Sequence, residues 1–352
     1  MHLPVFVRYL LFPFAVLYGA GVWLRNKLFD FGILKEFEFD FPVIVVGNLT
    51  VGGTGKTPMT IYLLKIFSEY FKTASLSRGY RRKTSGFLEV NPENSFQETG
   101  DEPLLIKRYF PDCPVAVCED RIEGVQQLLV AHPDLKAAVL DDAFQHRYLK
   151  PGFNILLTDY SNLFADDFLL PSGSLRESRS GASRADAIVV TKCPVDLPSE
   201  DVVRICGKIA LYSNAKVYFA SLSYPPYVSL TAASQNRQPG NSALLVCGIA
   251  NPESLKQKIS LDFKEVKSLI YEDHHAFSPE SIQVIEEEWK KLPNGASIIT
   301  TAKDAMRLEP FRNLMEEKKL PVFVLPVEMK FLFDDEEKFT VHIFNYIKRY
   351  IA

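Results

Sequence analysis

The chain has 352 residues, 47% hydrophobic and 24% charged, with a formal net charge of −3 from 40 Lys+Arg and 43 Asp+Glu. That composition excludes a disordered chain, and the near-cancelling charge excludes a polyanion binder acting through bulk basicity. No nucleic-acid partner is therefore expected, and any phosphate site must be local. The five cysteines (Cys113, Cys118, Cys193, Cys206, Cys247) are odd in number and none has C-x-x-C spacing. This argues against a disulfide scaffold or a zinc ribbon and for a reducing compartment.

The first element is apolar. Residues 9–24 read YLLFPFAVLYGAGVWL without a charge, with Arg8 before them and Arg25 and Lys27 after. Sixteen helical residues span about 24 Å, short of a hydrocarbon core of roughly 30 Å. Pro13 is expected to kink the helix, and Trp23 and Tyr18 suit headgroup depth. The segment 1–30 is thus expected to be a membrane-associated helix lying in or partly through the interface.

Strands and helices then alternate. Residues 41–47 (FPVIVVG) form a β-branched strand, followed by a Gly-rich turn and a helical pattern through Tyr70. Further strands are expected at 74–77, 115–118, 137–140, 154–158 and 187–191, and helices at 102–110 and 121–132. This order predicts an α/β fold, a phosphate-loop NTPase-like, mostly parallel sheet flanked by helices. The core should cover 31–223. A Pro/Ser/Asn/Gln-rich stretch at 224–240 reads as a linker or β-ribbon. A second, smaller α/β lobe should occupy 241–352, with strands at 243–247, 297–300 and 322–325, helices at 253–259 and 281–291, and a terminal helix from about 336.

The strand at 41–47 runs into Thr50-Val51-Gly52-Gly53-Thr54-Gly55-Lys56-Thr57. This fits G-x-x-x-x-G-K-[ST] everywhere except the first position. The glycines let backbone N–H groups turn toward one anion, and the following helix aims its positive end there. Lys56 can reach the β- and γ-phosphates and Thr57 can ligate Mg²⁺. The apolar strand 137–140 ends in Asp141-Asp142, which suits the second magnesium-holding element of such sites. No N/T-K-x-D motif reads guanine: Thr301-Ala302-Lys303-Asp304 has its Lys one place late, and Thr191-Lys192-Cys193-Pro194 lacks the Asp. ATP is the expected nucleotide, with Mg²⁺.

Phosphoryl transfer to a hydroxyl also needs a carboxylate or similar base near the acceptor oxygen. Gly100-Asp101-Glu102-Pro103 offers two acids, which equally suit a helix N-terminus. Asp273-His274-His275 is the other cluster, equally readable as a helix cap with a solvated His pair. His146 can reach the magnesium region from the strand end at 141–142. Arg78, Arg81, Arg82, Lys83, Arg121, Arg147, Arg176, Arg179 and Arg184 fall in expected loop ends and suit a small acidic substrate. On these residues alone, a soluble phosphate-loop kinase and a regulatory ATPase both remain open.

Several segments together narrow the reading: VGNLTVGGTGKTP (46–58), LSRGYRRK (76–83), GDEP (100–103), LDDAFQHR (140–147), PSGSLRE (171–177), CGIANPES (247–254), DHHAFS (273–278) and TAKDAMRL (301–308). The sequence resembles the tetraacyldisaccharide 4′-kinases of lipid A synthesis, whose own phosphate loop shares the Thr at position 50. It departs at Ala302, where that family usually has Glu. The resemblance implies transfer of the ATP γ-phosphate to the 4′-hydroxyl of an acylated disaccharide 1-phosphate lipid. It implies work at a membrane surface, on the cytoplasmic face of the inner membrane, with no obligate protein partner evident. It implies Asp101 as base with His274, or else His275, as its partner. Glu102, Asp141, Asp142 and His146 then take magnesium- and acceptor-side positions, and Arg78, Arg121 and Arg176 face the substrate's phosphate.

Overall fold

The computed structural model describes residues 5–351; residues 1–4 and 352, the ends of the expected first and last segments, lie outside the described residues. The described residues build two main sheets and a short two-stranded parallel one that pairs Phe37–Glu38 with Leu149–Lys150. The larger has nine strands, in the order Glu328–Phe331, Lys216–Ser223, Ala187–Thr191, Phe153–Asp159, Val43–Asn48, Ala137–Asp141, Thr73–Ser77, Val115–Val117, Leu88–Glu89. Its inner strands are parallel and its two edge strands antiparallel.

Every residue of Val43–Asn48 is buried, as expected for a central parallel strand covered on both faces. Ile44 and Val46 pack with Met59, Leu63 and Phe67 of the helix Lys56–Ser68 and with Phe339, Ile343 and Tyr346 of the terminal helix. Val43 and Val45 point into the opposite core, with Val125, Leu128, Ile205 and Ile209. The chain leaves Val43–Asn48 toward one side of the sheet and returns beyond Ala137–Asp141 to the other. The carboxyl ends of these two neighbouring strands therefore flank the point where strand order reverses, the place where open α/β sheets bind ligands.

The smaller sheet runs Val228–Ser229, Val322–Leu325, Ser297–Thr301, Ser242–Cys247, Glu265–Ile270. All its pairings are parallel except that of Val228–Ser229. The stretch 224–240 leads from Lys216–Ser223 of the large sheet to Ser242–Cys247 of the small one and adds Val228–Ser229 to the small sheet's edge. The antiparallel pair that carries the chain out and back is Lys216–Ser223 with Glu328–Phe331. Within 241–352, Glu328–Phe331 and the terminal helix Asp335–Ile351 return to the large sheet. Burial explains the return. Tyr346 Oη accepts from Val43 N at 3.2 Å, Asp335 accepts from Phe219 N at 2.9 Å, and Phe344 packs on Phe67 with ring centroids 5.7 Å apart.

The N-terminal helix, Val5–Asp30, is longer than the uncharged run and continues through Pro13 without ending. It is the one helix among the described residues long and apolar enough to cross a membrane, and only 6% of its most apolar window is buried. Ala15 and Phe29 mark the narrow stripe that touches the protein; Phe6, Tyr9, Leu10, Phe14, Leu17 and Trp23 face outward. All five cysteines are free.

Candidate active site

The phosphate loop forms as the glycine pattern requires. Gly52 has φ 108° and Gly55 has φ 88°, backbone conformations that strain any L-residue with a side chain. Val51 N donates to Ser174 O at 2.8 Å and Thr50 bridges Leu175, so the segment 171–177 forms one wall of the loop. The departure at Thr50 has a local reason. That residue is buried in an antiparallel bridge, and its Oγ1 accepts from Asn48 Nδ2 at 3.3 Å. A position that pairs like a strand has no need of glycine. Thr57 is buried in the first turn of the helix Lys56–Ser68.

Charged groups converge beside this loop. Lys56 lies 3.8 Å from Asp142 and donates to Asn48 Oδ1 at 3.4 Å. Arg176 pairs with Asp142 at 2.9 Å and also bonds Asn48 Oδ1. Burial works against the charge on Asp142, yet Lys56 and Arg176 hold its carboxyl below the usual range. Asp141 is the opposite case. Burial, and then the nearby Glu102 carboxylate, push it up to about 7 against the pull of Lys56 and Lys303. Both its carboxylate oxygens are buried without a hydrogen-bond partner.

Among the described residues, no three His, Cys, Asp or Glu side chains converge on one cation point. A magnesium ion beside a triphosphate needs only one or two carboxylates, since phosphate oxygens and waters complete its shell. Two orphaned, buried carboxylate oxygens at the end of the strand beside the phosphate loop fit that demand.

A second corner lies where the lobes meet. Asp101, first residue of the helix Asp101–Tyr109, is buried and bonds His274 Nδ1 at 3.0 Å through Oδ2. Its Oδ1 accepts from Glu102 N at 2.9 Å, and Arg307 Nε lies 3.4 Å from its Oδ2. Burial opposes the Asp101 charge, but His274, Lys303 and Arg307 outweigh it and keep the carboxyl below its ordinary value. The same hydrogen bond raises His274. His274 adopts φ 59°, a costly conformation for a residue with a side chain, held by its N–H bond to Gly248 O at 3.1 Å. His275 turns elsewhere: its ring stacks on Tyr271 at 4.3 Å, and it meets Ser281 Oγ at 3.4 Å.

The expected arginines fall in two places. Arg121 is buried and donates to the carbonyls of Cys118 and Glu119 at 3.0 and 2.9 Å. Burial lowers it, and Asp142 and Asp141 partly offset that. Arg78 is exposed on the same side. Between them His146 is pushed down to about 4, first by burial and then by Arg121, with Arg25 and Arg78 adding to it. Its Nε2 is buried without a hydrogen-bond partner. Arg176 belongs instead to the phosphate-loop corner.

A phosphate loop, an acidic strand end and an Asp–His pair assembled across two lobes thus lie near one another, with Lys56, Glu102 and Lys303 all close enough to act on Asp141. The family model described as tetraacyldisaccharide-1-P 4′-kinase matches residues 7–348. The chain belongs to the tetraacyldisaccharide-1-P 4′-kinase family. It is 45% identical over 347 residues to the tetraacyldisaccharide 4′-kinase of Phocaeicola vulgatus, covering 96% of this chain and 95% of that one. To the tetraacyldisaccharide 4′-kinase of Flavobacterium johnsoniae it is 42% identical over 344 residues, covering 97% and 98%. Its fold is similar to the crystal structure of "apo" form LpxK from Aquifex aeolicus in complex with ATP, with TM-score 0.72, 29% identity, and 97% and 99% of the two chains covered.

Within this tetraacyldisaccharide-1-P 4′-kinase family member, the sequence reading passed over four residues of the site. Asn48 links Lys56, Thr50 and Arg176. Gln145 donates to Asn48 O at 2.8 Å and to Glu177 at 3.0 Å. Lys303 crosses between the lobes to pair with Glu102. Arg307, fully buried, donates to Asp304 at 2.7 Å, to Gly248 O at 3.0 Å and to His275 O at 3.1 Å. A signal was present in TAKDAMRL: two cations one helical turn apart after an apolar strand, with Thr301 and Asp304 capping the turn.

Proposed function

We propose that this enzyme transfers the γ-phosphoryl group of ATP to the 4′-hydroxyl of a tetraacyldisaccharide 1-phosphate, a step of lipid A biosynthesis. It works at the cytoplasmic surface of the inner membrane, seated there by Val5–Asp30. The observation that carries the reading is the 3.0 Å pairing of Asp101 with His274 from the other lobe, beside the acidic strand end that faces Lys56. The family match over residues 7–348 supports the substrate, and the exposed apolar helix supports the membrane.

The chemistry follows from the residues. Gly52–Gly55 backbone N–H groups and the start of the helix Lys56–Ser68 bind the triphosphate, and Lys56 balances its β- and γ-charge. Thr57 and Asp141 are the natural holders of Mg²⁺, with Asp142 and Glu102 in their surroundings; bound there, the ion supplies charge neutralisation between the phosphates. The acceptor 4′-oxygen forms the new O–P bond as the bond from the γ-phosphorus to the β,γ-bridging oxygen breaks. The proton of the 4′-hydroxyl passes to Asp101, and His274 holds that carboxylate's orientation and shares the proton. Arg121, Arg78 and His146 form the surface that receives the acceptor's own phosphate, and Arg176 orders Asp142 beside the loop.

The test is a radiolabel transfer assay with γ-labelled ATP and detergent-dispersed tetraacyldisaccharide 1-phosphate. The reading expects label on the disaccharide at a rate abolished by Asp101→Ala. ATP turnover of equal rate with no disaccharide present would instead indicate an ATPase.

A further inference from the structure

The apolar N-terminal helix does more than face outward. The stripe of it that touches the protein carries polar residues from Tyr18 to Asn26 and is bonded directly to the phosphate-loop corner. Tyr18 Oη donates to the backbone oxygen of Arg176 at 2.7 Å. Asn26 Nδ2 donates to Glu177 Oε2 at 3.2 Å. Arg25 donates to Gln145 O at 3.2 Å. Positions 18, 25 and 26 are two helical turns apart and share one face. Gly19 sits on that face too; a Cβ there would lie 2.6 Å from Leu169 Cδ1.

Each receiving residue continues inward. Arg176 pairs with Asp142 at 2.9 Å and bonds Asn48. Glu177 is 2% exposed and is held on three sides, by Asn26, Gln145 and Arg184. Gln145 bonds Asn48 O at 2.8 Å, the last residue of the phosphate-loop strand. The helix is thus two hydrogen bonds from Asn48 through Arg176 and again through Gln145, and two from Asp142 through Arg176 alone. It is three from Asn48 along the path from Asn26 through Glu177 and Gln145. An anchor has no need of such contacts. A loop such as 171–177, without regular structure of its own, needs an external brace to hold an arginine still.

We infer that Tyr18 and Asn26 are positioning residues for phosphoryl transfer, acting from the membrane helix through Arg176 and Glu177 on the phosphate-loop corner. The inference rests on the kinase reading above. Seating the helix in a bilayer then also fixes the arginine beside Asp142, which ties turnover to the surface where a lipid substrate resides.

The experiment uses the full chain and separates attachment from chemistry. Tyr18→Phe with Asn26→Ala is expected to lower kcat on detergent-dispersed tetraacyldisaccharide 1-phosphate about tenfold, as displacements of under 1 Å at a catalytic constellation do. Co-sedimentation with phosphatidylethanolamine/phosphatidylglycerol vesicles should be unchanged. Trp23→Ala, on the outward face, should do the reverse: weaker vesicle binding with kcat in detergent retained. Combining Tyr18→Phe with Arg176→Lys should cost no more than Arg176→Lys alone, since Tyr18 acts through Arg176. Unchanged kcat in the Tyr18/Asn26 variant overturns the inference, as does an equal kcat loss in Trp23→Ala or a fully multiplicative effect of Tyr18→Phe with Arg176→Lys. Failure of the kinase reading shows separately, as a wild-type protein that places no label on the disaccharide.

Discussion

The two corners of the candidate site are built in opposite ways. The phosphate-loop corner comes from one strand, one turn and one helix in unbroken sequence, with Asp141 and Asp142 on the neighbouring strand in register Val46 to Asp141. The inter-lobe corner takes Asp101, His274, Lys303 and Arg307 from three segments in two lobes. The first is organised by backbone geometry within one lobe. The second exists only while the lobes are together, and its charges are balanced by one another. Asp101 is held ionised by His274, Lys303 and Arg307, whereas Asp141, in the first corner, is left with orphaned oxygens. One corner is prepared for a ligand and the other is already complete, so substitutions should act differently on the two.

The largest effect should come from the inter-lobe corner. Asp101→Ala is expected to reduce kcat by about 10³-fold, within the range that general-base removal costs. His274→Ala should follow it, and the double variant should be no worse than the poorer single one, because the pair acts as a unit. Steady-state kinetics on the three proteins checks this, and multiplicative losses would mean that Asp101 and His274 act independently within that corner. Next, Lys56→Ala removes charge stabilisation beside the phosphate loop, worth about 3 kcal/mol or roughly a hundredfold in rate. Here ATP affinity should also fall, measured by calorimetry, whereas in Asp101→Ala it should be retained.

Arg307→Met tests whether the second corner supports structure as well as chemistry. It leaves Asp304, buried at 0% exposure, without its 2.7 Å partner. Breaking a buried ion pair from one side costs about 3 kcal/mol. Urea unfolding should show that loss in the second lobe's transition, and an unshifted midpoint would assign the residue to catalysis alone. The smallest effect is expected from Lys303→Met. It removes the partly buried cation that joins Glu102 to the other lobe. We expect about a tenfold fall in kcat and a larger lobe separation by small-angle scattering before ATP is added. Unchanged scattering would show that Asp101 and His274 alone close the lobes.

The sequence by itself determined the elements whose causes are local. The phosphate loop was legible because glycines with positive φ, a preceding β-branched strand and a following Lys-Thr occur in one stretch of chain. Asp141 and Asp142 were legible because an apolar run of strand length ends in them. The N-terminal helix was legible from uncharged length, although its polar inner stripe was hidden among exposed apolar neighbours. Tertiary structure alone decided which residues meet. It paired Asp101 with His274 and turned His275 onto Tyr271, although the two histidines are adjacent and chemically alike. It carried Glu328–Phe331 and the terminal helix back to the large sheet, because Phe339, Ile343 and Tyr346 bury against Ile44 and Val46 there. It placed Lys303 against Glu102 and Arg307 against Asp101 and Asp304. The physical reason is the same in each case. A backbone conformation is dictated by neighbours in sequence, whereas a charge partner is dictated by which surfaces the core brings together.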